Sequence, residues 1–259
     1  MMELTSLLLN VEEHIATITI NREKSLNALN KAVMNELDYL FGTHLGSLDI
    51  YGVILQGAGE KAFAAGADIT EFMALDSKSG SELSAKGHRI FMQIENFHQP
   101  VIAVVHGYAL GAGCELAMSC HMRIATTKAV FGQPEVNLGL IPGYAGTQRL
   151  PMLIGKSKAI EYTLTANMMD ADEAHRLGLA NYVTEPGEAI VKAKELIHKI
   201  GQKGPIAVKN SIAAINAHYD NTKDGAAIEI DIFGKSLASE ECKEGVSAFL
   251  EKRKANFRS

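Results

Sequence analysis

The sequence predicts an α/β fold, and three observations predict it. Gly52-Val-Ile-Leu-Gln-Gly57 and Pro100-Val-Ile-Ala-Val-Val105 are short, almost wholly apolar runs. Strands covered on both faces of a sheet read this way. Stretches with apolar residues at helical spacing alternate with these runs, and buried strands alternating with helices argue for an α/β arrangement. The last ~60 residues carry helical patterning with no strand to partner them.

Taken in order, residues 5–10 and 15–20 are apolar, β-branched runs around Val11-Glu-Glu-His14 and predict a hairpin. Asn30 is placed to cap a helix, because Val33, Leu37, Leu40, Phe41 and Leu45 then recur at helical spacing. After the strand at 52–57, Gly57-Ala-Gly-Glu-Lys-Ala-Phe-Ala-Ala-Gly-Ala-Asp68 reads as a loop, and residues 81–96 return to helical periodicity. The strand at 100–105 ends in Gly107, and a helix of small residues is expected from about Gly113 to Cys120. Short strands at 122–126 and 129–132 follow, and Pro142 and Gly143 break the chain before Thr147-Gln-Arg-Leu150. Beyond 155, helices are expected at 187–200, 205–218, 223–238 and 241–254, with an apolar break near Ala180-Asn-Tyr-Val-Thr184. The sequence has no evident internal repeat and no low-complexity segment. The helical tail either covers the core or makes subunit contacts.

At 47% hydrophobic residues the chain can bury a sizeable core, and a net charge of -5 gives no basic surplus for nucleic acid. Local lysines can still bind an anionic ligand. Cys114, Cys120 and Cys242 match no zinc or disulfide spacing and read as small hydrophobes in a reducing compartment. The N-terminus lacks the basic start and cleavage site of a signal peptide, and no run of about 18 apolar residues occurs. A cytoplasmic protein without a membrane span is expected.

Several chemistries are excluded by pattern. Gly57-Ala-Gly-Glu-Lys-Ala62 fits Gly-x-Gly-x-x-Ala, but the loop runs on where a dinucleotide site requires a helix. There is no Gly-x-Ser-x-Gly elbow and no His-Glu-x-x-His or clustered Cys/His set for a metal. What remains is a pair of carboxylates 20 residues apart, Glu115 and Glu135, each in glycine-rich, apolar sequence. Such surroundings raise carboxylate pKa values toward the range useful for proton transfer. Two loops can supply amide donors beside them, Ala65-Gly66-Ala67-Asp68 and Gly111-Ala112-Gly113. The second opens a helix, whose first turn has free N–H groups and the positive dipole end. Singly, Glu115 could be a helix-start carboxylate and Glu135 a surface ion-pair partner. Two such loops and two flanking carboxylates together are hard to explain as structure alone.

At this point the chain resembles the crotonase family, the enoyl-CoA hydratase/isomerase superfamily. The matching segments are Asn21-Arg-Glu-Lys-Ser-Leu-Asn-Ala-Leu29, Lys61-Ala-Phe-Ala-Ala-Gly-Ala-Asp-Ile69, Gly107-Tyr-Ala-Leu-Gly-Ala-Gly-Cys-Glu-Leu-Ala117, Phe131-Gly-Gln-Pro-Glu135 and Ile141-Pro-Gly-Tyr-Ala-Gly-Thr-Gln-Arg-Leu150, with the tail from Ser247 to Phe257. The resemblance runs from about residue 5 to the C-terminus. It implies a crotonase-like spiral of ββα units over residues 1–195, and a helical oligomerisation region over 196–259 that builds trimers or dimers of trimers.

The resemblance also implies an acyl-CoA thioester as substrate, its carbonyl held by the backbone amides of Ala67 and Ala112. Glu115 and Glu135 fall on the family's catalytic glutamates, and Gly143 on a glycine near the bound water. Lys24, Leu26, Ala28, Ala65, Gly66, Asp68, Ile69 and Gly111 fall on substrate or CoA contacts. Phe233 and Lys252 match positions with which a neighbouring subunit completes the nucleotide site. No separate cofactor is implied, since coenzyme A is part of the substrate; other fatty-acid oxidation enzymes are potential partners. Two departures stand out: Ala112 where many hydratases have glycine, and Glu23 where proline is common. Glu115 favours a 2-enoyl-CoA hydratase, which must hold a water, over a Δ3,Δ2-enoyl-CoA isomerase, for which one base suffices. A non-catalytic RNA-binding homologue would show lost carboxylates or a basic stripe, and neither is present.

Overall fold

The computed structural model describes residues 2–258. Its strands are β1 (Leu7–Glu12), β2 (Ile15–Ile20), β3 (Gly52–Gly57), β4 (Ala62–Ala65), β5 (Val101–Val105), β6 (Tyr108–Leu110), β7 (Met122–Thr126), β8 (Val130–Gly132), β9 (Met169–Asp170) and β10 (Tyr182–Thr184). They form two sheets, ordered β1-β2-β3-β5-β7-β10 and β4-β6-β8-β9. The predicted hairpin is present: β1 and β2 pair antiparallel, with Glu13 and His14 both at positive φ in the two-residue turn. From β2 to β10 the larger sheet is parallel.

The helices are α1 (Lys31–Tyr39), α2 (Ser77–Glu95), α3 (Ala112–Ser119), α4 (Gly146–Ile154), α5 (Lys156–Thr165), α6 (Ala171–Arg176), α7 (Ala189–Gly201), α8 (Pro205–His218), α9 (Gly225–Leu237) and α10 (Glu240–Leu250). Asn30 caps α1 by accepting from Val33 N. The backbone repeats although the sequence does not. In β3-β4-α2 and again in β5-β6-α3, one strand joins each sheet and a helix follows. The strands β7 and β8 start a third turn of the same spiral.

Side-chain alternation along the strands explains the apolar runs. In β5, Val101, Ala103 and Val105 face the main core, while Ile102 and Val104 face a second cluster with Ala189, Ala193 and Ile197 of α7. Both faces of the sheet are covered, so neither face needs polar residues.

Three strands differ from expectation. β4, β6 and β9 lie in segments read as loop or helix. Ala62-Phe-Ala-Ala65 and Tyr108-Ala-Leu110 are short and alanine-rich, with weak intrinsic strand preference. They are strands because they pair with each other and with β8. The division expected between residues 195 and 196 falls inside α7, which packs on β3, β5 and β7 and buries Ile197. The helical region apart from the sheets begins with α8.

Candidate active site

The smaller sheet delivers the site. β4 ends at Ala65 and leads into Gly66-Ala67; β6 ends at Leu110 and leads through Gly111 into α3. The two strands pair in parallel register, Ala65 opposite Leu110, so both turns leave the sheet at the same edge. Gly113 brings them closer still. A Cβ there would lie 1.9 Å from the carbonyl oxygen of Ala64, so only glycine lets α3 pack onto β4.

The backbone then leaves two amides free. The bridge between Leu29 and Ala67 is parallel, and its hydrogen bonds are made by Leu29 N to Gly66 O (2.9 Å) and Asp68 N to Leu29 O (3.0 Å). Ala67 N therefore takes no part in it. Ala112 is the first residue of α3, where an N–H has no intrahelical acceptor. Gly111 makes this turn with φ 49° and ψ -124°, a conformation that favours glycine, and Ala112 itself lies outside the positive-φ residues. Alanine is thus compatible with the donor position.

Both amide positions border a cavity of about 440 Å³, which is also lined by Glu115, Glu135, Gly143 and Ile69. Glu115 is buried, 1% exposed, in the first turn of α3. Its Oε1 accepts from Tyr144 N (2.8 Å) and Gly146 N (2.6 Å). The segment that presents these amides is itself clamped to α2. Ser84 Oγ donates to Gly143 O (2.6 Å), and Arg149 donates to Tyr144 O (3.0 Å) while pairing with Glu95 (2.8 Å). Burial pushes the Glu115 carboxyl up to about 7; the charge of Glu135 adds to this, and the two amides and Arg149 oppose it. Glu135 opens a short 3-10 turn, Glu135–Leu138, and burial raises its pKa too. The Gln133 amide, oriented by its hydrogen bonds, donates to both Glu135 oxygens at 3.0 and 3.2 Å.

Burial alone does not mark a glutamate as reactive. Glu36 is equally buried, but its carboxylate accepts from Thr5 N (2.9 Å) and Leu7 N (2.8 Å) and ties α1 to β1. Cys114, next to Glu115, is buried and its thiol is pushed up to about 12, which removes it as a nucleophile.

The remaining expected contacts divide. Ala65, Gly66, Ile69 and Gly111 line the cavity. The loop carrying Leu26 and Ala28 runs beside it: Leu26 O accepts from Ala65 N (3.0 Å), and Lys24 lies in the exposed turn just before. Asp68 is turned away from the cavity, because its carboxylate pairs with Arg22 (3.1 Å) and accepts from Thr70 (2.7 Å). Phe233 on α9, 64% exposed, and Lys252 after α10 do not reach the cavity within one chain.

Sequence reasoning missed four supporting residues. Tyr144, Arg149 and Gln133 position the carboxylates as described. Asn27, fully buried, donates to Ala58 O (2.9 Å) and Ala62 O (2.7 Å) and fixes the loop that enters β4. Asn27 and Arg149 lie in polar stretches and Tyr144 acts through its backbone amide, so residue order gave no signal for them. Among the described residues no group of three or more His, Cys, Asp or Glu side chains is disposed to hold a metal, and no helix is long and apolar enough to cross a membrane.

The chain is similar to known proteins along nearly its whole length. The family described as enoyl-CoA hydratase/isomerase matches residues 10–259. The short-chain-enoyl-CoA hydratase of Clostridium acetobutylicum is 46% identical over 98% of this chain and 97% of its own. The crotonyl-CoA hydratase of Syntrophomonas wolfei is 45% identical over 97% of each chain. Among solved structures, an enoyl-CoA hydratase from Bacillus anthracis superposes with a TM-score of 0.91 at 35% identity, covering 98% of this chain and 99% of that one. One from Mycobacterium smegmatis gives 0.92 at 31% identity, covering 98% and 100%. A match over nearly the whole chain, on the same fold, carries one conclusion: this chain belongs to the enoyl-CoA hydratase/isomerase family.

Proposed function

We propose that the protein is a hydro-lyase that adds water reversibly across the 2,3 double bond of a 2-enoyl-CoA to give the 3-hydroxyacyl-CoA. The observation that carries this reading is the convergence of Glu115 and Glu135 on one cavity with the unengaged amides of Ala67 and Ala112. Water attacks C3, and negative charge gathers on the thioester oxygen as an enolate forms. The two amides meet that charge without reorganising, each at about 2.7–4 kcal/mol in comparable sites. Glu135 serves as the principal acid/base and Glu115 orients and activates the water, with Gly143 beside it. The pair is one titrating unit, and its raised pKa values suit a site that must both accept and deliver a proton near neutrality.

The substrate is already activated as a thioester, so the addition needs neither a redox cofactor nor a Lewis acid. CoA enters past Lys24, Leu26 and Ala28. Assembly as a homotrimer or dimer of trimers accounts for the exposed apolar residues of α8–α10, among them Ile230, Phe233, Phe249 and Leu250. It would also bring a neighbour's Phe233 and Lys252 toward the nucleotide. A cytoplasmic location, alongside other fatty-acid oxidation enzymes, agrees with three unpaired cysteines.

The test is Glu135→Gln. Loss of the conjugated thioester absorbance of crotonyl-CoA should slow by roughly 100- to 10,000-fold, the usual share of general acid–base catalysis, while acyl-CoA binding persists. A near-wild-type rate would remove the assignment.

A further inference from the structure

The hydratase reading leaves the acyl group open, and the wall of the cavity on the α2 side bears on it. The cavity borders α2 at Gly80, Leu83 and Ser84. The next residue along that stripe is Gly87, buried, followed one turn later by Phe91. There the cavity stops, because the ring of Tyr144 lies across the helix. A Cβ on Gly87 would sit 2.1 Å from that ring. Phe91, one turn further along the same helix, meets the ring edge-on, centroids 5.5 Å apart at 82°. Tyr144 is only 6% exposed, and its own N–H holds the carboxylate of Glu115. The ring therefore fills the space into which the cavity would otherwise run along α2, immediately beyond a carboxylate that faces the reacting carbons.

We propose that Tyr144 is the end wall of the acyl pocket and restricts the enzyme to short acyl chains. The proposal rests on the acyl-CoA reading above. The missing side chain at Gly87 is its counterpart, since it gives the ring the one seat that leaves the cavity open at the thioester end. A longer chain has to displace a ring packed against α2 at Gly87 and Phe91, and close-packed interiors resist such displacement.

The experiment compares wild type with Tyr144→Ala, Tyr144→Phe and Gly87→Ala. Binding of saturated butyryl-CoA and octanoyl-CoA is measured by calorimetry, and kcat/KM is measured for the C4, C6 and C8 2-enoyl-CoAs. Wild type should bind octanoyl-CoA no tighter than butyryl-CoA. Tyr144→Ala should raise the octanoyl-to-butyryl affinity ratio by roughly 15-fold, as two methylenes become buried at roughly fourfold each. The C8-to-C4 ratio of kcat/KM should move the same way, and Tyr144→Phe should keep the wild-type profile. Gly87→Ala should push the ring into the cavity and weaken butyryl-CoA binding, but not in a Tyr144→Ala background. The proposal is overturned if Tyr144→Ala leaves both ratios within about twofold of wild type, or if wild type already gains affinity with each added methylene. Binding separates it from the catalytic reading. Wild type that shows the binding profile but never hydrates crotonyl-CoA refutes hydration and leaves the wall in place. Hydration with unchanged ratios does the reverse.

Discussion

Replacing Glu115 with glutamine should make the protein more stable relative to wild type as pH rises, while disabling hydration. Glutamine keeps an Oε1 that can accept from Tyr144 N and Gly146 N, so the 142–146 segment stays anchored. It cannot ionise. In the wild type, burial raises this carboxyl from its ordinary 4.5 to about 7. Below about pH 4.5 it is protonated in folded and unfolded chains alike, and its contribution to stability is fully present. Between 4.5 and 7 the unfolded chain ionises first, so unfolding releases a proton and stability falls with rising pH. Above about 7 both states are ionised and the loss is complete. At about 1.36 kcal/mol per pH unit, the loss amounts to about 3 kcal/mol. Urea unfolding of both proteins at one protomer concentration, from about pH 4.5 to 8, measures it, because groups distant from Glu115 cancel in the difference, leaving Glu115 and its coupling to Glu135. The variant should gain about 3 kcal/mol on wild type across that range. A difference constant to within about 0.5 kcal/mol, or one of opposite sign, would refute the claim that burial perturbs Glu115.

Other substitutions test the scaffold around the pair. Gly111→Ala forces a side chain into a φ of 49° and sets its Cβ 2.9 Å from Glu135 Oε1. It should cost about 1–3 kcal/mol in urea unfolding. It should also lower kcat/KM for crotonyl-CoA by roughly 100-fold, as expected for a displaced catalytic group. Asn27→Ala leaves the carbonyls of Ala58 and Ala62 without their donor. Unfolding should become easier by roughly 2–4 kcal/mol, and a loss below about 0.5 kcal/mol would show that water replaces the side chain. Cys114 and Cys120 are buried, with thiols pushed up to about 12, whereas Cys242 is half-buried on α10. A thiol reagent should modify Cys242 alone in the native protein and all three after denaturation.

The strands and helices with the strongest patterns are legible from residue order. β3 and β5 are apolar because both of their faces are covered, and Asn30 announces α1 because a cap must satisfy free amides. Glu115 and Glu135 stand out for the same kind of reason, as charges in sequence that offers no solvent. β4 and β6 are not legible. Their alanines have weak preference for strand, and only pairing with each other and with β8 holds them extended. Residue order also does not show that the carboxylate of Asp68, expected from the resemblance near the substrate, is held by Arg22, 46 positions away.

By itself the sequence determined the alternation of strand and helix, the two carboxylates and, through its motifs, the family, because each is written in residues close along the chain. Tertiary structure alone decided which groups meet. The parallel pairing of β4 with β6 puts the amides of Ala67 and Ala112 on one cavity, the clamped 142–146 segment sets Glu115 in that cavity's wall, and the seat at Gly87 lays Tyr144 across its end. Backbone amides carry no side-chain signature, and a cavity ends where residues distant in sequence close it. Both depend on packing across the fold.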